Sequence, residues 1–371
     1  MKVLCMYDGL YKNYREQIEY SKEYAEKFTK EEVVIGEYTD PDPSVDFIKN
    51  IYRLEKFGPD PEPMVPAYEE NLDTEVLAVS FSPVSGEMMD RFQNLRVIGI
   101  SRTGTENVDI QAATQRGILV VNAAGRNANA VSDYAIGLMI AESRNIARQH
   151  ALMKQGGLTK EFSNNAIMPD LCGKTIGLFG FGYIGKLMAE KLSGFHVKII
   201  AVDPFVTAEE METYHVKKVD LDTLCKESDF ISLHARQTKE NANTFDKEQF
   251  NMMKPTAYFI NTARASMVNY DALIEALKEH KIAGAATDVY PKMPLAPDDP
   301  IRKLDNITLS AHLAGSTTDA VINSWKYVFQ RISNTIHGIS SFGVLNPEVL
   351  EMDVYKTWAQ ERKDLIHIIE S

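Results

Sequence analysis

The sequence predicts an α/β protein of two domains, each built on a parallel sheet. Three observations predict it. Short apolar runs alternate with longer helical patterns almost throughout, as expected for strands covered by helices on both faces. The chain has 371 residues, more than a single hydrophobic core ordinarily serves. A Gly-x-Gly-x-x-Gly pattern at Gly180, Gly182 and Gly185 lies mid-chain, so a separate unit precedes the one it opens.

The elements follow in order. Lys2 to Met6 reads as a strand, and a charged helical stretch runs from about Asn13 to Lys30. Pro59, Pro61, Pro63 and Pro66 mark a surface excursion, because prolines this dense cannot continue a helix or a central strand. Val76 to Phe81 and Arg96 to Ile100 read as buried strands. In the second half Lys174 to Phe179 is a strand, Lys186 to Leu192 a helix, and Val197 to Val202 a strand ending in Asp203. Further strands are expected at Phe230 to Leu233, Tyr258 to Ile260, Ala285 to Thr287 and Ile307 to Leu309, with helices such as Tyr270 to Glu279 between them. The tail from Pro347 to Ser371 is rich in charge and carries Trp358. It reads equally as a helix docked on the body or as an oligomer contact.

Composition removes several classes of function. A net charge of −12 disfavours nucleic acid and anionic membranes as partners. No apolar run approaches a membrane span, and the N-terminus lacks a charged-then-apolar signal segment, so a soluble cytoplasmic protein is expected. Cys5, Cys172 and Cys225 are widely spaced and form no Cys-x-x-Cys, which points to buried structural thiols and to no metal site.

The glycine pattern carries chemistry because its context is right. A tight turn needs Gly180, close approach of a pyrophosphate needs Gly182, and packing of helix on strand needs Gly185. Tyr183 and Ile184, within the same glycine run, are further cofactor-binding candidates, and the N-terminus of the helix that follows offers free N–H groups to the phosphates. Asp203 ends the next strand, where it accepts hydrogen bonds from the adenosine ribose and repels a 2′-phosphate. The expected cofactor is therefore NAD.

Three further segments, Ile260-Asn261-Thr262-Ala263-Arg264, Ala285 to Tyr290 and Ser310 to Gly315, follow the fingerprint in fixed order. With them, and with Arg102-Thr103-Gly104-Thr105-Glu106-Asn107-Val108-Asp109 and Gly117 to Asn122, the chain resembles the D-isomer-specific 2-hydroxyacid dehydrogenases over roughly Val76 to Gly338. The resemblance implies a flavodoxin-like substrate domain from residues 1–126 and 315–371, and an inserted Rossmann NAD-binding domain from residues 127–314. It also implies an active site in the cleft between the domains, a homodimer formed through the Rossmann domain, and a small 2-hydroxy or 2-oxo acid as substrate.

Site residues follow from the same resemblance. Arg264 matches the catalytic arginine, whose planar fork binds a carboxylate and polarises the adjacent carbonyl. His312 matches the general acid/base, a role suited to an imidazole because it titrates near neutrality. Asp288 matches the position that holds the nicotinamide carboxamide, and Thr262, His234 and Ala235 stand at strand ends facing the cofactor. Arg102, with Thr103 and Gly104 behind it, is the candidate for substrate recognition. Arg126 is a second anion contact or a surface ion pair, and Asn127 matches an active-site asparagine. Two arginines besides Arg264 suggest a substrate with a second charge, such as phosphoglycerate or another phosphorylated sugar acid.

The chain departs from the family at Met293. The family usually has a glutamate there, before Pro294, which stabilises the imidazolium. An unassisted histidine is the preferred reading. In the others, Asp298 or Asp299 substitutes for the glutamate, or the protein is an NADH-sensing binding protein with little or no turnover.

Overall fold

The computed structural model describes residues 1–8, 15–38, 53, 54, 56–59 and 64–369. Two compact units emerge, Met1–Arg126 with Thr317–Ser371, and Asn127–Ser316.

The first unit is a five-stranded parallel sheet. Its strands are β1 (Lys2–Tyr7), β2 (Glu32–Glu37), β3 (Val76–Val79), β4 (Val97–Ile100) and β5 (Leu119–Asn122), in spatial order β2-β1-β3-β4-β5. This is the flavodoxin-like order, with its switch point between β1 and β3. Successive side chains of a strand point to opposite faces, and both faces are covered. Val3, Cys5, Val76, Ala78, Val97 and Leu119 pack under helices Arg15–Phe28 and Thr318–Ile336, where the Phe28 and Phe329 rings lie 5.1 Å apart. Leu4, Met6, Leu77, Val79, Ile98 and Val120 face Tyr68, Met88, Met89 and Phe92 on the other side.

The tail is docked on this unit. Helix Asp353–Arg362 buries Tyr355 and Trp358 in the first face, and Ile366 bridges to Thr29. Trp358 Nε1 donates to Glu75 at 2.6 Å, and Arg362 Nε donates to the same oxygen at 2.8 Å.

The second unit is a seven-stranded parallel sheet. Its strands are β6 (Thr175–Phe179), β7 (Lys198–Val202), β8 (Val216–Lys218), β9 (Phe230–Leu233), β10 (Tyr258–Asn261), β11 (Gly284–Thr287) and β12 (Ile307–Leu309). The order β12-β11-β10-β9-β6-β7-β8 is the doubly wound dinucleotide-binding order with one added strand, and it reverses between β6 and β9. Ile176, Leu178, Tyr258 and Ile260 pack against Leu138 and Met139 of helix Ala128–Ser143, and against Met188 and Leu192 of helix Tyr183–Leu192. Phe179, Ile231, Leu233 and Phe259 pack on the other face against Phe245, Phe250 and Leu273.

Several expectations need correction. Cys5 and Cys225 are buried, but Cys172 is exposed in the turn before β6. Burial pushes the Cys225 thiol up to about 12. The proline-rich stretch is not wholly a surface excursion. Pro61 and Pro63 lie outside the described residues, but Pro59 and Val65 are buried. Pro66 opens the short helix Pro66–Glu69, where its missing N–H is no loss. The first helix is described from Arg15, so its expected start near Asn13 lies outside the described residues. Among the described residues no helix is long and apolar enough to cross a membrane.

Candidate functional site

In the second unit the chain leaves β6 through Gly180 at φ +99°, a backbone conformation that favours glycine. A Cβ there would lie 2.4 Å from the Ala235 nitrogen, because the segments leaving β6 and β9 touch. A Cβ on Gly185 would lie 2.5 Å from the Gly180 oxygen, whereas one on Gly182 would meet no described atom within 4 Å. Gly182 caps helix Tyr183–Leu192 without a side-chain cap, so first-turn N–H groups remain for an anion. Ile184 packs inward and Tyr183 is half exposed. Asp203 locks the loop: one oxygen accepts from Phe181 N at 2.8 Å, and the other from Phe205 N at 2.8 Å and Val206 N at 3.2 Å.

His234 follows β9, and its backbone N–H donates to Phe179 O at 2.7 Å. Its ring is buried, and neither ring nitrogen has a hydrogen-bond partner among the described residues. Burial lowers its pKa to about 3, which keeps it neutral. The Thr262 hydroxyl, beyond β10, is likewise buried and without a described partner. Buried polar atoms are ordinarily paired. Orphaned ones at the carboxyl ends of β9 and β10, beside a glycine cradle, fit a dinucleotide.

Arg264 stands just past β10 in extended backbone and is exposed. Asn261 shapes its turn by donating to Arg264 O at 3.1 Å and accepting from Ala263 N at 3.0 Å. Arg264 is among the residues lining a cavity of about 560 Å³, with Gln237, Asn243, Asn269, Tyr270 and Tyr290.

Asp288 is fully buried beyond β11. Its carboxylate accepts from Ser310 Oγ at 2.6 Å, Leu313 N at 3.0 Å and Ala314 N at 2.8 Å, and its carbonyl accepts from His312 N at 2.9 Å. These four bonds hold His312 at φ +56° with its side chain exposed. The Tyr290 hydroxyl braces the same loop, 2.8 Å from Ser310 O. Asn127 belongs to the group as well, since a Cβ on Gly315 would lie 2.4 Å from its Nδ2. Asp299 accepts from the Tyr270 hydroxyl at 2.9 Å and from Ile301 N at 3.0 Å, and Asp298 is exposed.

Sequence reasoning singled out Asp288 as a cofactor contact but missed Asn261, Ser310 and Tyr290. All three lie inside the quoted motifs. Their roles arise from hydrogen bonds within and between loops, which spacing does not reveal.

In the first unit Arg102 follows β4. Its guanidinium lies 3.6 Å from the centre of the Phe81 ring, and it donates to Glu106 at 3.0 Å and Asn107 at 3.4 Å. Thr103 O accepts from Asn122. Arg126 donates to Ala320 O at 3.1 Å and Ser324 Oγ at 3.0 Å on helix Thr318–Ile336.

These features define a protein with a doubly wound dinucleotide-binding unit and a separate flavodoxin-like unit. The NAD-binding domain of the D-isomer specific 2-hydroxyacid dehydrogenases matches residues 136–314. The chain is 38% identical over 288 residues to a D-3-phosphoglycerate dehydrogenase of Archaeoglobus fulgidus, covering 77% of this chain and 53% of that one. It is 36% identical to a glyoxylate reductase of Thermofilum pendens, covering 75% of this chain and 82% of that one. The match thus spans about half the length of the phosphoglycerate dehydrogenase. The fold is shared with the NAD-complexed D-isomer specific 2-hydroxyacid dehydrogenase of Lactobacillus delbrueckii ssp. bulgaricus, at a TM-score of 0.72 and 22% identity over 93% of this chain and 100% of that one. The chain belongs to the D-isomer-specific 2-hydroxyacid dehydrogenase family and carries that family's NAD-binding domain.

Proposed function

We propose that the chain is an NAD-dependent dehydrogenase interconverting a small 2-oxo acid and its D-2-hydroxy acid. One observation carries this reading: the exposed His312 is held on a four-bond scaffold by Asp288, in the same unit as Arg264 and the glycine cradle. When bound, the cofactor supplies or accepts a hydride at the nicotinamide ring. Gly182 and the helix N-terminus hold its pyrophosphate, Asp203 its ribose, and His234 and Thr262 supply hydrogen bonds deeper in. Arg264 binds the substrate carboxylate and polarises the carbonyl to be reduced. His312 donates a proton to the oxygen of that carbonyl in reduction and removes it in oxidation. Asp203 favours NAD over its 2′-phosphorylated form. With Met293 where a carboxylate would back the histidine, His312 works without that partner.

The test is NADH consumption with glyoxylate, hydroxypyruvate and other 2-oxo acids, with Arg264→Ala as control. Turnover is expected to fall at least about a hundredfold in the control, as when a charge-assisted transition-state contact is removed. Tight NADH binding without turnover of any acid would move the assignment to an NADH-sensing binding protein.

A further inference from the structure

We propose that Glu106 is a specificity-determining residue. By holding Arg102 it excludes phosphorylated acids and sets the site for substrates whose single charge is the carboxylate. The inference rests on the dehydrogenase reading above.

The residues involved lie past the carboxyl ends of β3 and β4, with Asp8 just past β1, at the reversal of strand order where ligands of open α/β sheets bind. Among the described residues Arg102 is a cation placed there. One face of its guanidinium is covered by the Phe81 ring at 3.6 Å, and its side chain is 12% exposed. Its edge is engaged by the Glu106 carboxylate at 3.0 Å and the Asn107 amide oxygen at 3.4 Å. Both partners are themselves seated. Asn107 donates to Ser82 O at 2.8 Å, and Glu106 curls over Gly104, where a Cβ would lie 2.6 Å from its carboxylate. The buried Asp8 side chain lies beside the Phe81 backbone, accepting from Phe81 N at 2.7 Å.

The positive charge expected of this loop is therefore cancelled where it stands. Arg126, the other arginine of the unit offered for an anion, is bonded to helix Thr318–Ile336. A phosphate brings nearly two negative charges at neutral pH. It would have to displace Glu106 or lie beside it, and like charges a few ångströms apart repel even with the Glu106 side chain 42% exposed. An acid with an uncharged tail meets no such opposition.

The experiment compares D-glycerate with 3-phosphoglycerate, which differ by one phosphate. Each is titrated calorimetrically into the NAD-loaded full chain, in wild type and in Glu106→Gln, which keeps the size and an acceptor oxygen but not the charge. Wild type is expected to bind D-glycerate more tightly than 3-phosphoglycerate. Glu106→Gln is expected to gain at least about tenfold for 3-phosphoglycerate, while D-glycerate stays within about twofold. Glu106→Asp, which keeps the charge, is expected to retain the wild-type discrimination. The proposal is overturned by no gain for 3-phosphoglycerate in Glu106→Gln, by an equal gain in Glu106→Asp, or by wild type preferring the phosphorylated acid. Failure of the dehydrogenase reading would show separately, as the absence of Arg264-dependent turnover.

Discussion

His234 and Asp288 show how single residues in this protein are set by what surrounds them. Burial holds the His234 ring neutral, with a pKa near 3. The unfolded chain takes up a proton near the ordinary value of 6.5, and the folded one does not until near 3. The contribution is therefore neutral above pH 6.5 and increasingly destabilising as pH falls from 6.5 toward 3. Between pH 6.5 and 5 this costs about 2 kcal/mol in the cofactor-free protein. Urea denaturation at the two pH values is expected to show that loss in wild type, and a loss smaller by that amount in His234→Gln. Asp288 makes a different kind of prediction. Its three carboxylate bonds support the His312 loop, so Asp288→Asn places an amide N–H against donors. The expected result is a kcat lower by about a hundredfold, the scale of an acid–base contribution, with NADH affinity retained. Loss of NADH affinity in step with kcat would instead make Asp288 an anchor of the nicotinamide carboxamide.

At the scale of elements, the glycine loop was legible from its spacing, and β9 and β12 because each is a compact apolar run bounded by turns; both strands span the residues expected. β2 and β8 were not. Both are edge strands, Glu32–Glu37 and Val216–Lys218, and charged residues on an edge mask the apolar signal. The tail was legible only as a choice between two roles, since Trp358 and Tyr355 need the sheet and helix Thr318–Ile336 to define a core. Its docking also depends on Glu75. Burial raises that carboxyl, but hydrogen bonds from Trp358 and Arg362, the Arg362 charge and the N-terminal amine outweigh it and hold it below the usual range. Its contribution is present above the ordinary carboxylate value and is lost as pH falls through the depressed one. Glu75→Ala leaves a buried indole N–H unpaired and takes from Arg362 the nearer of its two carboxylates, and is expected to destabilise by about 2–4 kcal/mol in chemical denaturation. Combining it with Trp358→Phe should cost less than the sum of the two, because the residues share one contact.

At the scale of the whole molecule, the second unit exposes Ile146, Met153, Leu158 and Met168 within one stretch of chain, where a monomer would ordinarily place polar residues. These side chains are where the homodimer implied by the family resemblance can be tested. Light scattering after gel filtration should report twice the chain mass of 41.7 kDa, and Met153→Glu with Leu158→Glu should shift it toward one chain mass. The sequence by itself determined the α/β class and the dinucleotide cradle, because these rest on hydrophobic periodicity and local turn geometry, while Arg264 and His312 entered as candidates through the family resemblance. The tertiary structure decided what those residues touch. It turned Asp288 inward to hold the His312 loop, closed Glu106 over Arg102 and tied Arg126 to helix Thr318–Ile336. The last bond joins residues about two hundred positions apart, and a contact of that separation leaves no periodicity for sequence reading to find.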